Sequence, residues 1–145
     1  MPRPGYAIAC RETEPLTPVL LASALESDYR LLRDLLGGSR YVLAYASSWH
    51  RAVNLLGHIA VPVILYDRGF DAADWRLGVR RMKSSWRSPS VILLSDAHDL
   101  ALRQDLVVSG GSGLLVRPFD SRQVLEALDD AVARFSRRAV RSAAP

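Results

Sequence analysis

The chain has 145 residues, 49% of them hydrophobic and 23% charged, which suits one domain with a substantial core and excludes a disordered polar chain. No apolar run approaches the roughly 20 residues that a membrane-spanning helix needs, and the single Cys10 excludes an internal disulfide framework and fits a cytoplasmic protein. The formal net charge is +4, and every basic residue except Lys83 is an arginine, whose guanidinium group does not titrate in proteins.

Five short apolar runs alternate along the chain with segments of helical period. They are rich in Val, Ile, Leu and Tyr, as strands buried on both faces are, and span residues 19–22, 41–45, 61–66, 90–94 and 114–116. This alternation is typical of a parallel sheet covered by helices on both faces. We therefore predict a three-layer α/β/α sandwich with a five-stranded parallel sheet in the flavodoxin-like order 2-1-3-4-5.

The helices between these strands carry recognisable start signals. The first is predicted over residues 27–36 and the second from Ser47 or Ser48, and we expect Asp71, Asp96 and Asp120 to cap the other three. Apolar residues at helical spacing are expected to face the core. They are Leu31, Leu32, Leu35 and Leu36, then Ala52, Val53, Leu55 and Leu56, then Trp75, Val79, Met82 and Trp86, and finally Val124, Leu128, either Ala131 or Val132, and Phe135.

Positive charge is concentrated in two places. Residues 134–145 contain four arginines and no acid, which leaves 15 basic and 15 acidic side chains in the other residues. We accordingly divide the chain into an N-terminal extension over residues 1–16, a domain over 17–136 and a basic C-terminal tail over 137–145. A basic stripe on the third predicted helix suits a solvated face or an anionic partner, and consists of Arg76, Arg80, Lys83 and Arg87.

Polar residues follow three of the predicted strands: Asp67 the third, Ser95 the fourth, and the triplet Arg117-Pro118-Phe119 the fifth. With these residues, the chain resembles the receiver domain of two-component response regulators over about residues 18–135. The first strand and helix match that family, Asp67 falls on its phosphoacceptor, and Ser95 falls on its Ser/Thr switch. The triplet Arg117-Pro118-Phe119 is similar to the family's Lys-Pro-Phe after the fifth strand. The resemblance implies a bacterial, non-enzymatic protein of a two-component phosphorelay, with a cis peptide before Pro118.

The chain departs from the family where a metal would bind. Ser23 and Ala24 replace the acidic pair that, with Asp67, holds Mg²⁺ in the family, and the backbone carbonyl ligand falls on Gly69. Because Mg²⁺ sheds water reluctantly and needs hard oxygen ligands, a site with one carboxylate competes poorly for it. We therefore expect no metal and no cofactor, and slow or absent phosphorylation.

Nearby charged residues leave two questions open at this site. Glu26 or Asp28, just beyond the turn, could replace the missing carboxylates. Arg117 presents a planar fork suited to a carboxylate, so we expect it to pair with Asp67, helped by Arg68, and to fill the space of a phosphoryl group. The alternative is that Asp67 merely ends its strand in solvent.

The switch residues and the partner surface also follow from the resemblance. Leu114 replaces the family's switch aromatic, and Ser95 alone is not expected to switch the domain. The surface implied for partners is the fourth helix, fifth strand and fifth helix, with Leu100, Arg103, Leu114 and Val124. We predict a pseudo-receiver that binds another signalling protein or a second copy of itself. We expect this binding to be independent of phosphorylation, and we expect no binding to a membrane.

Two alternatives remain for the function. One is a conventional receiver that is phosphorylated at Asp67 with Mg²⁺ as cofactor. The other is a module that binds nucleic acid or another polyanion through the Arg-rich tail.

Overall fold

The computed structural model describes residues 15–71 and 74–143. Nearly all of the predicted N-terminal extension, Cys10 included, lies outside the described residues. Among the helices that are described, none is long and apolar enough to cross a membrane.

Strands and helices alternate throughout the described chain. The strands are β1 (Thr17–Ala22), β2 (Tyr41–Ala46), β3 (Val63–Asp67), β4 (Ser90–Ser95) and β5 (Gly113–Val116). The helices are α1 (Glu26–Leu35), α2 (Trp49–Leu56), α3 (Trp75–Lys83), α4 (Leu100–Val108) and α5 (Ser121–Ala143). Each predicted strand overlaps an observed one, and the ends differ by at most two residues.

The sheet is parallel and its strand order is β2-β1-β3-β4-β5, which confirms the predicted fold class. β1 has β2 on one side and β3 on the other, with Leu20 beside both Ala44 and Ile64. The strand order therefore reverses at β1 and β3. In open α/β sheets a crevice forms at such a point, outside the carboxyl ends of the strands.

Alternate residues of the strands pack into two separate cores, one on each face of the sheet. On one face Leu20 and Ile64 pack against α2, α3 and α4, where Met82 is fully buried. On the other face Leu21 packs against α1 and α5, where Leu128 is fully buried. With both faces covered, the sheet offers a ligand only its ends.

The structure corrects several details of the helices. Leu31, Val53 and Trp86 are exposed rather than in the core, and Trp86 lies beyond the last residue of α3. Asp74, not Asp71, caps α3 by accepting a hydrogen bond from its backbone, and Asp99, not Asp96, caps α4. Ser48 and Asp120 act as predicted, since Ser48 accepts from Arg51 N and Asp120 from Gln123 N. α5 continues to residue 143, so it includes residues 137–143 of the basic tail.

Tyr66 in β3 is fully buried, and its hydroxyl has no hydrogen-bond partner among the described residues. Its ring lies against Phe70, with 5.5 Å between the centroids, and near Trp49 at 6.4 Å. Burial, and to a smaller extent the negative charges of Asp71 and Asp67, raise the pKa of Tyr66 to about 12. The phenol is therefore kept neutral in the folded protein.

We expect Tyr66 to make the protein less stable at alkaline pH. Its pKa rises from an ordinary 10.0 to about 12 on folding, so its contribution is complete below pH 10 and is lost as the pH rises toward 12. Urea denaturation of the wild type and of Tyr66→Phe, across this range, measures the effect. The stability of the variant should fall less steeply with pH, and equal slopes would show that Tyr66 does not titrate on unfolding.

Candidate functional site

A depression of about 500 Å³ opens at the carboxyl ends of the strands. Asp67, the last residue of β3, and Ser95, the last of β4, both line it, as does Arg117 directly after β5. Two backbone hydrogen bonds hold these ends in place, from Arg68 N to Leu94 O and from Arg117 N to Ser95 O, both 2.9 Å long. The sheet thus brings together residues that lie far apart in the sequence.

The guanidinium of Arg117 lies at the centre of this depression. Its Nη2 atom lies 2.6 Å from Asp67 Oδ1 and 2.6 Å from Asp28 Oδ2. Nε donates a longer bond of 3.4 Å to Asp28 Oδ1, so Asp28 is held by two atoms of the fork. The guanidinium carbon lies 5.3 Å from the centroid of the Phe119 ring, which supports the group from one side. The expected pairing of Arg117 with Asp67 is present, and the alternative of a solvent-exposed Asp67 is wrong.

Ser23 positions Asp28 for this contact. Its hydroxyl donates a 2.8 Å bond to Asp28 Oδ2 and accepts a 3.1 Å bond from Leu25 N. Ser23 is fully buried, whereas Ala24 is exposed. The serine at the end of β1 therefore orients a carboxylate from the first turn of α1.

The side chains of Asp28 and Asp67 are only 8% and 10% exposed, and that of Arg117 is 21% exposed. Burial lowers the pKa of Arg117, but hydrogen bonds to Asp28 and Asp67 outweigh it, and the pKa is raised above the ordinary value. Asp96 adds a weaker contact of 3.3 Å to Nη1 from a side chain that is 85% exposed. The buried part of the network is two carboxylates around one fixed positive charge.

Comparison with known proteins gives matches in shape. No family model and no curated protein matches the chain in sequence. It is similar to the signal receiver domain of an HD domain-containing protein from Pseudomonas fluorescens Pf-5, with a TM-score of 0.77 and 24% identity over 88% of this chain and 95% of that chain. The chain has the fold of signal receiver domains.

Two further solved structures extend this finding. The signal receiver domain of a putative Luxo repressor protein from Vibrio parahaemolyticus gives a TM-score of 0.76 at 14% identity, over 86% of this chain and 96% of that one. A response regulator from Thermotoga maritima gives 0.74 at 17% identity, over 81% and 98%. The peptide between Arg117 and Pro118 is cis, as the resemblance implies.

The remaining positions suggested by the receiver resemblance are engaged locally. Gly69 N donates a 3.1 Å bond to Asp67 Oδ2, and a side chain at Gly69 would come within 3.3 Å of that oxygen. The Ser95 hydroxyl donates to Ala97 O at 2.9 Å and accepts from Ala97 N at 3.2 Å, so it turns back on its own loop. Arg68 lines the depression without forming an ion pair with Asp67, so the help expected from it is absent.

The carboxylates do not form a metal site of the receiver type. No group of three or more His, Cys, Asp or Glu side chains in the described ranges is arranged to hold a metal ion. Glu26 is exposed and pairs with Arg30, so it does not replace the missing acids. Asp28 does enter the site, but the guanidinium of Arg117 lies between it and Asp67. A divalent ion would have to displace that group, so the residues present do not fit Mg²⁺.

Only some residues of the predicted partner surface are exposed. Leu100 is 69% exposed and Arg103 is also exposed, whereas Leu114 is half-buried against the core. Val124 is fully buried, because it lies one turn before Leu128 on the face of α5 that packs on the sheet. Val124 is therefore wrong as a surface residue.

Sequence reasoning missed the contacts that Asp28 and Asp96 make with Arg117. The sequence predicts Asp28 only as a substitute metal ligand and Asp96 only as a helix cap. The signal that could have identified Asp28 is Ser23, a small hydroxyl residue at a strand end, five residues earlier. Once an arginine replaces the lysine after β5, a second buried carboxylate is the partner that its fork can use.

Proposed function

We propose that this chain is a signalling domain whose phosphoacceptor position is closed by Arg117, and that it acts by presenting a fixed surface to another protein. The observation that carries this proposal is the position of Arg117 Nη2, 2.6 Å from both Asp67 and Asp28. The receiver fold supports a role in signalling by protein contact rather than in catalysis.

Closure by Arg117 opposes phosphorylation in two ways. Phosphoryl transfer depends on positioning and on neutralising the charge that develops, which a bound metal ordinarily supplies. Here a guanidinium already neutralises Asp67 Oδ1, and Gly69 N occupies Oδ2. An incoming phosphoryl group would have to break charge-assisted hydrogen bonds in a largely buried site.

The fixed surface that we assign to partner binding is the outer side of α4. This helix buries Leu102 and Leu106 but leaves Leu100, Val107 and Val108 exposed. Apolar residues on the outer side of a helix are typical of surfaces that bind other proteins. We propose that the partner is another signalling protein or a second copy of this chain.

Incubation with acetyl phosphate and Mg²⁺, followed by intact-protein mass spectrometry, tests the closed site. We expect no phosphoryl adduct on the wild type. We expect a Mg²⁺-dependent adduct on the triple variant Ser23→Asp, Ala24→Asp and Arg117→Lys, because it restores the acidic pair and the lysine that the resemblance implies.

The matched control adds Asp67→Asn to the triple variant and should abolish the adduct. A wild-type adduct that disappears in Asp67→Asn would overturn the proposal in favour of a conventional phosphoacceptor. Circular dichroism of every variant checks that the fold is retained.

A further inference from the structure

A second recess lies at the amino ends of the strands, opposite the site of Arg117. It has a volume of about 410 Å³ and is lined by four basic side chains. Lys83 is the last residue of α3, and Arg134, Arg137 and Arg138 all come from α5. The end of α4 and the loop before β5 complete the wall. We call this recess the basic cleft.

Most of the charge in the basic cleft has no acidic partner. Arg134 pairs with Asp130 at 3.1 Å and donates a 2.9 Å bond to the backbone of the loop before β5. Over residues 15–71 and 74–143, Lys83, Arg137 and Arg138 form no ion pair, and no acidic side chain lines the cleft. Of the four basic residues that line the cleft, only Arg134 is therefore paired with an acidic side chain within the described residues.

One nitrogen of the Arg138 guanidinium lacks a hydrogen-bond partner among the described residues. Its Nη2 donates a 2.9 Å bond to the hydroxyl of Ser90, the first residue of β4, which fixes the side chain against the sheet. Its Nε is buried, yet it has no hydrogen-bond partner within the described part of the chain. Buried donors without partners are uncommon in native proteins, and one explanation for such a group is a bound anion.

Lys83 also lies in an unfavourable position. Burial lowers the pKa of its ammonium group, and the positive charge of Arg138 lowers it further. Gly110 leaves room for the lysine stem, since a Cβ there would lie 3.0 Å from Lys83 Cδ and its φ of +95° disfavours other residues. The fold thus holds like charges together at a cost that a bound anion would offset.

We propose that the basic cleft binds a small molecule carrying two or more phosphate groups. Its volume lies within the range of about 300–1,000 Å³ that is usual for small-ligand sites. Guanidinium forks match pairs of phosphate oxygens, and a lysine adds a point charge beside them. Cations from α3 and α5 converge on one recess, which suits a compact anion better than an extended polynucleotide.

Isothermal titration calorimetry of the full chain with inorganic pyrophosphate, without divalent ions and at constant ionic strength, tests this site. We expect saturable binding to the wild type. Lys83→Gln and Arg137→Gln should each weaken it about tenfold, as the loss of one charge-assisted contact does. Arg137 is exposed, so its replacement leaves the core intact.

The matched control is Arg80→Gln, which removes the same charge from α3 outside the cleft and should bind pyrophosphate like the wild type. Equal weakening in all three variants, or no saturable binding to the wild type, would overturn the proposal. A parallel titration with duplex DNA separates the two kinds of anion, since binding of DNA without binding of pyrophosphate would also overturn it.

Discussion

Replacing Arg117 with alanine should lower the free energy of unfolding by about 3 kcal/mol. The guanidinium is the counter-charge of Asp28 and Asp67, whose side chains are 8% and 10% exposed. Removing it leaves two largely buried carboxylates close together without a counter-charge, and desolvation and mutual repulsion both penalise them. Urea denaturation near neutral pH, followed by circular dichroism, measures the loss.

The matched control for this loss is Arg122→Ala. Arg122 pairs with Glu126 at 2.9 Å, but both side chains are largely exposed, so we expect a loss of less than about 1 kcal/mol. Arg117→Lys keeps the charge without the fork and should fall between the two. If Arg117→Ala costs no more than Arg122→Ala, the buried network does not contribute as inferred.

Neutralising the carboxylates should separate repulsion from lost packing. In the Arg117→Ala background, Asp28→Asn and Asp67→Asn together remove the two unpaired charges and should restore part of the stability. In the wild type both aspartates bind the same nitrogen of Arg117, so without it the two carboxylates repel each other. Either substitution alone removes that repulsion, so the two effects should not add. Simple additivity would mean that the aspartates act separately.

The fold could be predicted from the sequence because its signals are local and repeated. Short apolar runs alternate with segments of helical period. Strands buried on both faces appear in the sequence as continuous apolar stretches, such as residues 63–66 of β3. The sequence predicts less accurately which apolar helix residues face the core. Leu31 and Val53 fit an apolar pattern, yet each lies at the edge of a stripe that the sheet covers only in part.

The site could be predicted only where the resemblance supplied positions. Asp67 and Ser95 end their strands and Arg117 follows β5, and the parallel sheet brings all three to one edge. Asp28 comes from α1 and binds Arg117 rather than solvent. That contact is between residues far apart in the sequence, so no local spacing predicts it. Asp96 illustrates the same limit. It lies only three positions before Asp99, and the sequence does not show which of the two aspartates caps α4.

The basic cleft was hidden for a similar reason. The sequence placed Lys83 in a stripe on α3 and the arginines in a separate tail. Since α5 continues to residue 143, Arg137 and Arg138 lie on a helix and line one recess with Lys83 at the amino ends of the strands. Basic residues that the sequence assigns to two separate regions, the stripe on α3 and the tail, therefore line one recess in the structure.

Gly78→Ala should lower the free energy of unfolding by about 3 kcal/mol, at the upper end for an overpacked core. In an exposed helix this change stabilises by about 1 kcal/mol. At Gly78 on α3, however, a Cβ would lie 1.9 Å from the Tyr66 hydroxyl oxygen and 2.4 Å from the ring carbon that bears it. Tyr66 is fully buried in β3 and its ring lies against Phe70 and near Trp49, so it cannot move away into solvent.

The second variant, Tyr66→Leu, distinguishes this overlap from a general weakness of α3. Leucine lacks the ring tip, so Gly78→Ala should cost much less in the Tyr66→Leu background than in the wild type, as urea denaturation of all four proteins would show. The control is Gly57→Ala after α2, where the nearest atoms would lie 3.5 Å away and little change is expected. An equal cost in both backgrounds would mean that Tyr66 is not the obstacle.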